Sequence, residues 1–191
     1  MSKSFLNKSE FATLSEKLTY YDVDQRGWEG ESSGFEANAH HVLTHLVKDL
    51  ANKDYCSAKV QEEELAPDAL MYGIRLRRWV AIPTDEEFLD LGPENQAGSI
   101  VHRLGGELIL SAAFTIEAAG VLSTHLHDID HAKTHEEAKA NRYKKIGRTA
   151  DLLILSSQVA AFEHGFDIRQ AFEDRLSVIR RRSNIPQPVG Q

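Results

Sequence analysis

The chain has 191 residues, 41% apolar and 27% charged, with a net charge of −7. That length and balance suit one buried core, exclude a disordered chain, and give no overall attraction to nucleic acid or anionic membrane. The only cysteine, Cys56, excludes an internal disulfide framework and fits a reducing compartment.

No apolar run follows Lys3 and Lys8, so no secretory signal is expected and the reading is of a cytoplasmic protein. Residues 9–21 place Phe11, Leu14, Leu18 and Tyr21 on one helical face, with Ser9 as the candidate cap. Residues 22–35, rich in Gly, Ser and Asp, read as a connection. Helical spacing returns over 36–52 through Val42, Leu43, Leu46, Val47 and Leu50. Residues 53–65 are polar and close on Glu62-Glu63-Glu64. Pro67 then suits the first turn of a helix that runs to Val80. Thr84-Asp-Glu-Glu87 forms a capping box for a short helix that Gly92-Pro93 ends.

A long helix is expected over 99–131, with Gly105-Gly106 near its start, followed by a charged segment over 132–142. Within that helix, Leu108 to Thr124 spans 17 residues, but Glu117 and Gly120 make it a core helix and not a membrane span. A second core helix runs over 143–164, and Gly165 is placed to stop it. Its middle is apolar on most sides, which calls for several packing neighbours. Asp167 caps a last helix with Ile168, Phe172, Leu176 and Ile179 in a stripe, ending in Arg180-Arg181-Arg182 and a proline-bearing tail.

No stretch sustains strand alternation. The expected fold is all-α, a bundle of about five to seven helices in a single domain over 1–191. It divides into an amino-terminal helix and loop (1–35), a first helical hairpin (36–92), a helical core (99–182) and a tail (183–191). Val42-Leu-Thr-His-Leu46 echoes Val121-Leu-Ser-Thr-His-Leu126, and Ala66-Pro-Asp68 echoes Ala150-Asp151. Duplication of a helical hairpin and chance similarity between amphipathic helices both account for this.

The residues suited to chemistry gather late in the long helix. Glu117 is the only charged residue between Glu107 and His125, and His127, Asp128, Asp130 and His131 follow within five positions. His127 and His131 are four apart and Asp128 and His131 three apart, so each pair shares a helical face. Imidazole and carboxylate together suit a divalent ion. Glu117 lies 11 residues from Asp128, or about 16 Å along an intact helix, so the two mark alternative sites. Asp151 stands in an apolar run, where a carboxylate needs a cation, donors or a metal. Arg148 and Lys145 are the candidate cations on its own helix. His40, His41 and His45 with Asp49 read as a partly exposed helix face. Glu62 to Glu64 with Asp68 read as a solvated acidic run. Arg75, Arg77 and Arg78, like Arg180 to Arg182, read as solvated surface.

Thr149-Ala-Asp-Leu-Leu-Ile-Leu155, His164-Gly-Phe-Asp-Ile168 and Ala171-Phe-Glu-Asp-Arg-Leu-Ser-Val-Ile-Arg-Arg-Arg182 resemble the carboxy-terminal half of the all-α nucleoside triphosphate pyrophosphohydrolases, the MazG-like family. The resemblance covers about the last 41 residues. It implies a homo-oligomer, a dimer first of all, that hydrolyses a nucleotide to monophosphate and pyrophosphate with Mg2+ or Mn2+. It implies neither a DNA or RNA partner nor a membrane. Asp151 matches the Asp of the family's Glu-x-x-Asp motif, and Arg148 stands where its Glu would be. For the earlier Glu-Glu-x-x-Glu motif, Glu117-Ala-Ala-Gly-Val keeps one glutamate, or else His127-Asp-Ile-Asp-His131 takes its place. The implied metal ligands are Glu117, His127, Asp128, His131 and Asp151, with Asp128 and Asp151 catalytic. Leu126-His-Asp-Ile-Asp-His131 also resembles the His-Asp step of HD-domain phosphohydrolases, with His102 upstream and Asp151 as the distal acid. A third expectation is a catalytically degenerate helical protein that binds a nucleotide or a partner.

Overall fold

The computed structural model of the chain describes residues 6–25, 35–79, 110–131 and 135–183, with side chains at all of these except 25, 35–38, 129–131 and 135–144. Helix α1 (Lys8–Thr19) is opened by Asn7 and not by Ser9. The Asn7 side chain accepts from the Glu10 N–H at 3.0 Å, and the Glu10 carboxylate accepts from the Asn7 N–H at 3.0 Å. This reciprocal pair satisfies two donors that would otherwise lack partners, and it leaves Ser9 inside the first turn. The helix runs on into a π-helical turn, Tyr20–Gln25, which carries Asp22 into the interior.

Helix α2 (Phe35–Leu50) buries Ala39, Val42 and Leu46, while Val47, expected on the apolar face, is 55% exposed. The next helix starts at Ala58, well before Pro67. A short turn, Ala58–Val60, and a π-helical turn, Gln61–Leu65, lead without a break into α3 (Ala66–Trp79). Proline has no N–H, and in α-helical register its ring clashes with the carbonyl four residues earlier. The widened turn, in which the Ala66 N–H reaches back five residues to the Gln61 carbonyl, lets the helix pass through Pro67.

Helix α4 (Leu110–His131) has its first turn held by a distant carboxylate. Glu163 accepts from the Leu110 N–H at 2.8 Å and from the Ser111 hydroxyl at 2.7 Å. An acid at this end meets the unpaired donors and the positive pole of the helix dipole. Helix α5 (His135–His164) takes in most of the charged segment expected to precede it, starting eight residues before Tyr143. Gly165, at φ 80°, ends it in a conformation that suits glycine. Asp167 caps α6 (Ile168–Arg182) by accepting from the Arg169 N–H at 2.9 Å. The fold is all-α, and the described residues hold these six helices and no strand. The expected short helix over 84–92, the 99–109 stretch with Gly105-Gly106, and the tail from 184 lie outside the described residues.

The helices pair by their side chains. Ser111 with Glu163, Thr115 with Ser156 at 2.8 Å, and Asp128 with Lys145 set α4 and α5 antiparallel. The His45 ring lies 5.5 Å from Tyr72, with His41 near Arg75 and Asp49 near Asp68, so α2 and α3 are antiparallel as well. One core, including Val42, Leu46, Leu76, Phe114, Leu122 and Leu153, joins α2, α3, α4 and α5. A second, including Phe11, Leu18, Leu70, Ile74, Ile154 and Phe172, joins α1, α3, α5 and α6. Helices α3 and α5 serve both cores, and they meet at Gly73. A Cβ there would fall 2.7 Å from Ile154 Cγ1 and 2.9 Å from the Ala150 carbonyl oxygen. Residues 152–161 of α5 are buried throughout, including the polar Ser156, Ser157 and Gln158, each of which is hydrogen-bonded. Among the described residues, no helix is long and apolar enough to cross a membrane.

Candidate functional site

Of the acids singled out along α4 and α5, Glu117, Asp128 and Asp151 are each held by a cation. Asp151 accepts from Arg77 of α3, not from Arg148 or Lys145 on its own helix. Those two reach across to α4 instead. Arg148 stands 3.3 Å from Glu117, and Lys145 donates to Asp128. The Lys145 hydrogen bond is the main reason that the Asp128 carboxyl lies below its ordinary range. His127 is exposed, and the side chain of His131 lies outside the described ones, as does His102. Among the described residues, no group of three or more His, Cys, Asp or Glu side chains could hold a metal ion.

A different cluster forms from residues of α2, α3, α6 and both π turns, Tyr20–Gln25 and Gln61–Leu65. Its base is an ion cluster. Asp22, completely buried, accepts from Arg75 Nε at 2.9 Å, Arg75 Nη2 at 2.8 Å and Arg78 Nη2 at 2.8 Å. Arg75 and Arg77, expected on the surface, are therefore buried, because Asp22 and Asp151 receive them. Burial alone would lower the Arg75 guanidinium, but the bond and charge of Asp22 outweigh it and raise it. The Arg75 guanidinium lies 6.0 Å from the centre of the Tyr72 ring.

Above that base stand two imidazoles and three carboxylates. His41 and His45 are one helical turn apart, with ring centres 4.5 Å apart. Burial lowers both; the charge of Arg75 adds to this at His41, and those of His41, Lys48 and Arg75 add to it at His45 against an opposing Asp68. Asp49, the next turn along, is half-buried. Its carboxyl is pushed up to about 6, first by burial and then by the charge of Asp68, with Glu64 adding to it and Lys48 and Arg175 opposing. Arg175 of α6 clamps Asp68 through two bonds, Nε to Oδ1 at 2.8 Å and Nη2 to Oδ2 at 2.6 Å. It also lies 3.5 Å from Glu64. Burial, then Asp68, raise the Tyr72 phenol.

The sequence had offered His41, His45 and Asp49 as a partly exposed face and Glu64 with Asp68 as a solvated run. The four-residue spacing from His41 to His45 to Asp49 was a visible signal. The arrival of Asp68 and Arg175 beside that stripe was not. Compared with protein-family models, curated proteins and solved structures, the chain matches none of them.

Proposed function

We propose that the chain is a nucleotide hydrolase of the MazG-like kind, cutting a nucleoside triphosphate to monophosphate and pyrophosphate, with Asp49 as the base. The observation that carries this reading is the stripe of His41, His45 and Asp49 along α2, with the His41 and His45 rings 4.5 Å apart and the His45 ring 5.5 Å from Tyr72 of α3, one turn from the clamped Asp68; burial and the charge of Asp68 raise the Asp49 carboxyl to about 6 there. A general base works best when its pKa lies near the working pH. An ordinary exposed aspartate, near 4, would be a far weaker one. In the proposed step a water oxygen attacks the α-phosphorus while its proton passes to Asp49. The bond from that phosphorus to the bridging oxygen breaks, and the electron pair leaves with pyrophosphate. His45, one turn from Asp49, would orient the water. Arg175 belongs to the segment Ala171–Arg182 that carries the MazG-like resemblance, and it is the residue of α6 that reaches Asp68. The two lines of support meet at one side chain.

The resemblance also implies magnesium. The described donors do not fit a resident ion, because Asp68, Glu117, Asp128 and Asp151 each face an arginine or lysine. No step above uses one. Magnesium is commonly held by one or two carboxylates together with substrate phosphates. We therefore place Mg2+ or Mn2+ on the incoming triphosphate, as part of the substrate. A screen of ribo- and deoxynucleoside triphosphates with each metal tests the reading by its products. Monophosphate plus pyrophosphate supports it. Nucleoside plus tripolyphosphate would favour the HD-type chemistry instead. No product from folded protein would reject hydrolysis. It would favour the second reading, a binding protein, which the pairing of Glu117, Asp128 and Asp151 with cations supports.

A further inference from the structure

Arg175 reaches the cluster from α6, 107 residues along the chain from the acid it binds. Its two bonds to Asp68, at 2.8 and 2.6 Å, fix both the position and the plane of that carboxylate. Its third nitrogen stands 3.5 Å from Glu64 on the π turn, so one guanidinium ties α6 to two acids on neighbouring elements. Its side chain is only 12% exposed. We infer that Arg175 is a positioning residue of the site proposed above: by clamping Asp68 it holds that carboxylate, and its own charge, against Asp49 and so poises Asp49 to take a proton from water. The inference rests on the hydrolase reading for its link to turnover, but its electrostatic content can be measured without turnover.

The charged and titratable groups that act on Asp49 are Lys48 on α2, Tyr55 after it, Glu64 on the π turn Gln61–Leu65, Asp68 and Tyr72 on α3, and Arg175 on α6. Lys48 is exposed, so Arg175 is the shielded cation among them. Asp68 and Arg175 act on Asp49 with opposite signs. Removing either one therefore makes opposite predictions, which damage to the fold alone would not reproduce.

The experiment is to titrate the Asp49 carboxyl by carbon-13 NMR in the full chain, assigned with Asp49→Asn, and to record the pH–rate profile on the nucleotide that is turned over. In Arg175→Gln the Asp49 titration, and with it the acid limb of the profile, should move up by about one pH unit. Arg175→Lys, which keeps the charge, should restore most of it. Asp68→Asn should move the titration down. An Asp49 titration that stays in place in Arg175→Gln, or that moves the same way in both variants, overturns the inference. A wild-type chain that turns over no nucleotide defeats the hydrolase reading and leaves the titration to be judged separately.

Discussion

Gly73→Ala probes the crossing on which both cores depend. In an ordinary helix the change would be favourable, since alanine exceeds glycine by about 1 kcal/mol in helix propensity. Here the added methyl would stand 2.7 Å from Ile154 Cγ1, 2.9 Å from the Ala150 carbonyl oxygen and 3.3 Å from the Ile154 nitrogen. The isoleucine side chain is β-branched and stiff, and the other two atoms are backbone, so none can swing clear. Helices α3 and α5 must part along a contact that is buried on both sides. Overpacking of this kind costs about 1–3 kcal/mol, and the backbone contacts place it toward the upper end. Set against the propensity gain, the net loss is roughly 1–2 kcal/mol. At this chain length that corresponds to a Tm lower by roughly 2–8 °C. Gly120→Ala is the control. Its Cβ would meet nothing within 4 Å, so it should gain about 0.5–1 kcal/mol. Urea unfolding of the three proteins, followed by far-UV circular dichroism, gives the comparison. Gly73→Ala as stable as the wild type, or more so, would refute the close crossing.

Asp22→Ala should be among the most damaging single changes, because it leaves Arg75 buried without its carboxylate. Breaking a buried pair from one side costs about 3–5 kcal/mol, and urea unfolding would show it. A loss below 1 kcal/mol would deny Asp22 its anchoring role. Asp49→Asn should change stability in a pH-dependent way. The folded carboxyl lies near 6 against an ordinary 3.8, so its contribution is fully present below about pH 4 and is lost as pH rises through 6. The variant should therefore match the wild type near pH 4 and exceed it at pH 7.5. The gain should be about 1–2 kcal/mol once solvent screening of a half-buried group is allowed for. Unfolding at the two pH values checks this, and a gain independent of pH would contradict the raised carboxyl.

Much of the fold was legible because it is written in local pattern. The stripes Phe11-Leu14-Leu18 and Ile168-Phe172-Leu176, the Asp167 cap and the Gly165 stop each depend on residues within a turn or two. Boundaries were harder to read. Pro67 reads as a helix start unless a π turn accommodates it, and the charged residues over 132–142 read equally as a loop or an exposed helix, of which the structure has the helix from His135.

The site was the least legible part. Asp151 called for a cation, but nothing local reveals that Arg77 supplies it from α3 while Arg148 and Lys145 turn to α4. Asp68 and Arg175 meet only because α6 folds back across α3. The raised Asp49 depends on burial that sequence spacing does not report. The π turn at Tyr20–Gln25 falls where the expected helix over 9–21 gives way to a polar connection, and nothing in that pattern signals that Asp22 holds both Arg75 and Arg78.

The most direct test of the central claim is the pH–rate profile of nucleoside triphosphate hydrolysis by the wild type and by Asp49→Asn, with both shown to be folded. The account predicts monophosphate and pyrophosphate from the wild type, with rate rising through an acid limb near pH 6, and loss of nearly all turnover in the variant. Full activity in Asp49→Asn, or no turnover by folded wild-type protein with either Mg2+ or Mn2+, would contradict it.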